Sequence, residues 1–223
     1  TIAFKKTKSW SDALYHLLFV LRMIAIALIV VALARPQTHS ENAKTKITDG
    51  IDIVMAIDVS ASMLSQDLKP NRFEALKKVA SQFVKDRPND RIGLVIYAGE
   101  SYTKTPVTTD KSIILNALSE ITYGQIEDGT AIGMGLATAV NRLKESKAKS
   151  RVIILLTDGV NNTGFIDPQT AAELAAEYGI KVYTVGIGTN GMALSPYALN
   201  ADGSIIYRMQ QVDIDEPLMK KIA

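Results

Sequence analysis

Apolar residues follow three patterns along this chain. The first is a long apolar run from Ala13 to Ala34. As a helix it would be roughly 33 Å long, enough to cross the hydrocarbon core of a bilayer. The second is a series of short, nearly continuous runs: Ile51 to Ile57, Arg91 to Tyr97, Val152 to Leu156 and Lys181 to Ile187. Runs of that length are typical of parallel strands buried on both faces. The third is helical spacing, as in Phe73, Leu76, Val79, Ala80 and Phe83, then Ile113, Ile114, Ala117, Leu118 and Ile121, then Ile132, Leu136, Ala139, Val140 and Leu143. An Ala-rich helix is predicted over Pro168 to Tyr178, closed by Gly179, and another begins at Glu216. Asp110 is placed to cap the helix that follows it, and the helix around Leu136 is predicted over Thr130 to Glu145. Ser101 to Val107 is Thr-rich and broken by Pro106, which marks an edge strand. Met192 to Pro196 reads as loop.

Strands alternating with helices imply βαβ crossovers. The fold class predicted is therefore α/β: a doubly wound, mostly parallel sheet with helices on both faces, preceded by one transmembrane helix. The organisation is a basic flank over 1–12, a transmembrane helix over 13–35, a polar linker over 36–49 and an α/β domain over 50–223. The first residue is Thr1, which suggests a piece of a longer protein.

Composition narrows the chemistry. A net charge of +2 is too small to argue for nucleic acid. With no Cys there is no disulfide, no thiolate metal site and no Cys nucleophile. Both histidines, His16 and His39, precede the α/β domain, so that domain can hold neither a Ser-His-Asp triad nor a His-rich zinc site. Around the apolar run, Lys5, Lys6 and Lys8 nearly balance Arg35, Lys44 and Lys46, so charge alone decides the orientation poorly. Arg22, inside the run, is expensive in lipid and must snorkel or find a partner.

The chemistry gathers where strands end. The first strand stops at Asp58, with hydroxyls following at Ser60 and Ser62. Asp158 follows the Val152 to Leu156 run, and Glu127-Asp128-Gly129-Thr130 opens a helix. In open α/β sheets ligands bind outside the carboxyl ends of the strands. Hydroxyl and carboxylate oxygens are the donors that magnesium prefers. Each residue also has an ordinary reading as a helix cap or a turn. If the strands are neighbours, Asp58, Ser60, Ser62, Thr130 and Asp158 converge, and a cation between the two carboxylates would relieve their repulsion.

These residues carry a resemblance. D-V-S-A-S (58–62), the Thr of D-G-T (128–130) and the Asp of T-D-G (157–159) resemble the metal-ion-dependent adhesion site of von Willebrand factor A domains. The run Gly129 to Lys149 and the segment A-L-A-R-P-Q (32–37) look more narrowly like the BatA branch, the membrane-anchored aerotolerance proteins of bacteria. The resemblance implies that Ser60, Ser62 and Thr130 bind a divalent ion, Mg²⁺ or else Mn²⁺ or Ca²⁺, through hydroxyl oxygens. Asp58 and Asp158 would bind directly or through water, and an Asp or Glu of a protein partner would complete the shell. It further implies a non-enzymatic interaction domain at the bacterial inner membrane, facing the periplasm. Its partners would be other Bat proteins and a MoxR-type AAA+ ATPase. A last strand and a further membrane helix would be expected after Ala223.

Two other functions compete. Gly186-Ile187-Gly188-Thr189-Asn190-Gly191 spells G-x-G-x-x-G after a strand, as in dinucleotide-binding proteins, but no helical pattern follows it. A magnesium-dependent phosphohydrolase could use Asp58 as nucleophile. That chemistry usually has a second carboxylate two residues on, where this chain has Ser60.

Overall fold

The computed structural model describes residues 10–34, 50–158, 160–200 and 203–223. The basic flank before residue 10, the linker over 36–49 and Gly159 lie outside them. The chain divides into two compact units, with the boundary between Lys46 and Ile47. The first contains helix α1, Trp10–Ala34. Its stretch Leu14–Leu33 has a mean hydropathy of 2.6. It is long and apolar enough to cross a membrane.

The second unit is built on a five-stranded sheet. In chain order the strands are β1 (Asp52–Asp58), β2 (Arg91–Tyr97), β3 (Ser101–Thr108), β4 (Arg151–Thr157) and β5 (Lys181–Gly186). Their spatial order is β3-β2-β1-β4-β5. All pairings are parallel except β2 with β3, so the Pro-broken strand does lie at an antiparallel edge. β1 sits in the centre and every one of its residues is buried. Parallel strands must be joined by crossovers, and those crossovers cover both faces of the sheet.

The period of two in each strand sorts its side chains between the faces. Ile53, Met55 and Ile57 of β1 point to one core with Ile92, Leu94 and Ile96 of β2. Helices α2 (Arg72–Lys85) and α3 (Lys111–Glu120) close this core with Phe73, Leu76, Ala80, Val84, Ile114 and Leu118. Val54, Ala56, Val95 and Tyr97 point to the other core. That core is covered by α4 (Ile132–Leu143), α5 (Pro168–Glu177) and α6 (Glu216–Ile222). The helix starts follow from local chemistry. Asn71, Asp110, Asp167 and Asp215 each accept a backbone N–H of the first turn, and Gly179 leaves α5 with φ of 63°.

Two expectations need correction. Met192 to Pro196 is not a loop. It belongs to β6 (Gly191–Leu199), which pairs antiparallel with β7 (Ile205–Val212) as a separate hairpin. Pro196 is accommodated within it, since a two-stranded ribbon has two free edges and tolerates a residue without an N–H donor. Helix α4 begins at Ile132, so Thr130 stands in the preceding loop.

Small residues set how closely α4 approaches the sheet. A Cβ on Gly135 would lie 2.5 Å from Cδ1 of the Tyr97 ring, which is fully buried beneath it. In an exposed helix Gly→Ala gains roughly 0.5–1 kcal/mol. Here we expect Gly135→Ala to destabilise the domain by about 1–3 kcal/mol, because the ring must be displaced in a packed core. Chemical denaturation of the two proteins measures the difference, and an unchanged or raised midpoint would contradict the packing.

Candidate metal centre

β1 and β4 are neighbours and run parallel, so their carboxyl ends emerge side by side. β1 ends in Asp58, and Asp158 directly follows β4. Both are buried, at 0% and 2% exposure. After Asp58 the chain turns sharply into a short 3₁₀ segment, Ala61–Leu64. This turn brings the Ser60 and Ser62 hydroxyls to 3.0 Å from each other. Asp58 is fixed on both oxygens. One accepts the Ser60 N–H at 2.9 Å and the other the Thr157 hydroxyl at 2.8 Å.

Thr130 reaches the same place from the loop before α4. Its N–H donates to the Asn162 side-chain carbonyl at 2.8 Å, and the Ile132 N–H donates to that of Asn161 at 2.9 Å. The Asn161-Asn162 pair therefore satisfies N–H groups at the start of α4, where Ala131 in the cap position has no side chain to do so. Thr130 is not itself a cap. Asp128, in the same loop, accepts the Ala61 N–H at 2.9 Å and so ties this loop to the serine turn.

Of the five predicted residues, Ser62, Thr130 and Asp158 line one cleft of about 260 Å³. Ser60 touches it through Ser62, and Asp58 stands behind Ser60. Sequence reasoning missed Arg72, which is fully buried and lines the cleft. Its guanidinium grips Asp67 with two nitrogens, at 2.8 and 2.9 Å, and reaches Asp158 at 3.1 Å. Asp67 also accepts the Thr189 N–H at 2.7 Å. Gly188 makes room for this network. Its φ is 144°, and a Cβ there would come within 2.7 Å of the guanidinium carbon. Of the glycines in the G-x-G-x-x-G spelling, Gly186 packs against Met219 at the end of β5, Gly188 packs on Arg72 and Gly191 begins β6, so a strand and not a helix opens after them.

The electrostatics suit a cation. Burial, then the neighbouring Asp158 charge, push the Asp58 carboxyl up to about 7. Burial also raises Asp67, but Arg72 and the Thr189 N–H outweigh it and leave its carboxyl below the usual range. The donor set fits a hard divalent ion on geometry as well. Two ligands at right angles and 2.0–2.1 Å from Mg²⁺ are about 2.9 Å apart, close to the serine hydroxyl separation. Among the described residues no three His, Cys, Asp or Glu side chains cluster as a metal site, so any site here depends on hydroxyls.

Comparison with known proteins supplies relatives of this fold. Residues 52–214 match the model of the von Willebrand factor type A domain. An aerotolerance-related membrane protein from Bacteroides fragilis shares the fold with a TM-score of 0.68 and 30% identity, over 78% of this chain and 87% of that one. BatB from Bacteroides thetaiotaomicron has the same TM-score at 32% identity, over 78% and 85%. Proximal thread matrix protein 1 of the mussel byssus, solved with zinc in its MIDAS motif, matches at a TM-score of 0.54 and 28% identity, over 61% of this chain and 35% of that one. An uncharacterized protein from Borreliella burgdorferi is 34% identical over 180 residues, 80% of this chain and 52% of its own length. The chain spans about half the length of the curated relatives it matches.

The raised Asp58 carboxyl predicts an unusual pH dependence without metal. Between the unfolded value of 3.8 and the folded value of about 7, the folded state holds the extra proton. Stability must therefore fall as pH rises through that window. We expect the chelated protein to melt higher at pH 5 than at pH 7.5, and Asp58→Asn to flatten the profile. A wild-type melting temperature that rises across this range would contradict the assignment.

Proposed function

We propose that this chain, which belongs to the von Willebrand factor type A domain family, is a membrane-anchored interaction module that captures an acidic side chain of a partner protein through a divalent cation. The observation that carries this reading is the cleft where Ser62, Thr130 and Asp158 meet, with Ser60 and Asp58 directly behind. Ser60, Ser62 and Thr130 would hold the ion through hydroxyl oxygens. Asp158 and Asp58 would act directly or through water. The ion, Mg²⁺ or another hard divalent cation, would supply a positive point that accepts one more anionic oxygen.

The protein's own residues tune that demand. Arg72 neutralises part of the Asp158 charge. Three neutral hydroxyls and a compensated carboxylate leave the ion short of negative charge, so an external carboxylate is favoured. Asp58 orients Ser60 by accepting its N–H, and Thr157 holds Asp58 in turn. Support for a module without catalytic chemistry comes from the family and from the donor set. Asp58 has both oxygens engaged and stands behind the serines, a poor position for a nucleophile.

The membrane and partner assignments rest on likeness. The apolar helix Leu14–Leu33 and the membrane relative from Bacteroides fragilis support an inner-membrane anchor. We place the domain in the periplasm, and the partners among other Bat proteins and a MoxR-type AAA+ ATPase, in an aerotolerance or envelope-stress complex.

Calorimetry on the full chain in detergent tests the site. Mg²⁺, Mn²⁺ or Ca²⁺ should give a single binding event. Asp58→Ala should weaken it by roughly 10–100-fold, as expected for a residue that orients a ligand. Thr130→Ala should weaken it without lowering the chelated melting temperature, since Thr130 caps nothing. Asp158→Ala should be worse than Asp158→Asn, which keeps a ligand oxygen. Equal heats for wild type and Asp58→Ala would refute the site. For orientation, protease added to intact spheroplasts should digest the domain. Its survival until lysis would place it on the cytoplasmic side.

A further inference from the structure

A second depression adjoins the metal cleft. It has a volume of about 190 Å³ and lies between Tyr123 on one side and Tyr197, Leu199 and Ile205 of the hairpin on the other. Ala61 and Pro196 line both depressions and form the saddle between them. The distance from one to the other is set by the fold, because the hairpin is anchored on the serine turn. The Ser195 hydroxyl lies 2.8 Å from that of Ser65, and the Gln66 N–H donates to the Leu194 carbonyl at 2.9 Å.

The lining differs from that of the metal cleft. Its charged member is Asp128, which already accepts the Ala61 N–H. The rest is aromatic and aliphatic, and Tyr197 and Leu199 are 61% and 63% exposed. Large apolar side chains are costly to leave in water beside a polar cleft, and such patches mark interaction sites. The hairpin also carries positive charge beside this patch. The exposed Arg208 stacks over the Tyr197 ring, 5.3 Å from its centre. Arg208 therefore offers positive charge beside the groove to a segment that carries a carboxylate, whereas Arg72 is already paired with Asp67 and Asp158.

We propose that the hairpin β6–β7 and this groove form the second half of the docking surface, and that the partner is a protein segment carrying an Asp or Glu with an apolar or aromatic side chain close beside it. The carboxylate enters the metal cleft and its neighbour crosses the Ala61–Pro196 saddle into the groove. This rests on the metal–carboxylate reading above and adds the chemistry of the second contact. A single carboxylate would fill only one of two adjoining depressions, so specificity for the partner resides in the hairpin.

The test is selection from a random displayed peptide library by the full chain in nanodiscs with Mg²⁺, with elution by chelator and subtraction against empty nanodiscs. The expected pool is rich in Asp or Glu with Leu, Ile, Phe or Tyr within a few positions. A synthetic peptide from that pool should bind Leu199→Ser and Tyr197→Ser at least about tenfold more weakly, the loss typical of a central interface contact. Both substitutions are at exposed positions and should leave the melting temperature unchanged. Binding of a blocked Gly-Asp-Gly peptide should be the same in all three proteins. Chelator-sensitive acidic peptides without an apolar neighbour, or unchanged affinity in both variants, would overturn the groove and leave the metal reading intact. A pool without acidic residues would overturn both. Phosphatidylglycerol vesicles that displace the peptide from the groove would assign it to lipid and overturn the proposal.

Discussion

Two carboxylates are forced together at the ends of adjacent buried strands, and much of the domain's upper surface follows from that. Asp58 and Asp158 leave β1 and β4 almost wholly buried. Isolated charges in such a place are too expensive to persist. The chain responds in two ways. Asp158 is paired with Arg72, itself buried, and Asp58 is surrounded by hydrogen-bond donors and raised towards neutrality. Buried ion pairs seldom add net stability, and removing one partner is far more damaging than the pair is worth. Their presence here is better understood as fixing an arrangement of oxygens than as holding the fold together.

The fold itself is held by the two cores. β1 contributes to both, and its neighbours β2 and β4 are almost as deeply buried. That rigid centre decides where the loops emerge. The loops then bind one another across the carboxyl ends of the strands: Asp128 to the serine turn, Asn161 and Asn162 to the loop before α4, Asp67 to the turn after β5. Each contact satisfies a backbone N–H that would otherwise need water. The result is a preorganised cleft, with most of its positioning cost met during folding.

The hairpin stands apart from this scheme. It does not extend the main sheet, and Ala193 and Ser195 are its buried points while Met192, Leu194 and Met209 face outward. A two-stranded ribbon is marginal alone, so its attachment to the serine turn gives it a fixed place. Attachment next to the cleft is what makes it relevant to recognition.

The alternation of buried runs and helical patterns determined the α/β class, the sheet's parallel character and the edge position of the Pro-containing strand. Those features depend on local periodicity, which a sequence displays directly. That Asp58, Ser60, Ser62, Thr130 and Asp158 gather in one place was also legible, through their joint occurrence after strand ends and through a resemblance, since each alone reads as an ordinary cap or turn. Arg72 was not readable, since the first residue of an amphipathic helix is ordinarily exposed and only the packing of Gly188 and Asp67 over it makes it internal. Nor was the start of α4, where a distant Asn pair replaces the usual capping side chain. The strand β6 was missed although Met192 and Leu194 alternate with Ala193 and Ser195, because a short alternation containing a proline is weak evidence for a strand. An Asn-Ala-Asp-Gly turn signal at 200–203 was the available clue. Which loops share a cleft, and which charge faces which, are matters of long-range neighbourhood, and only the tertiary structure decides them.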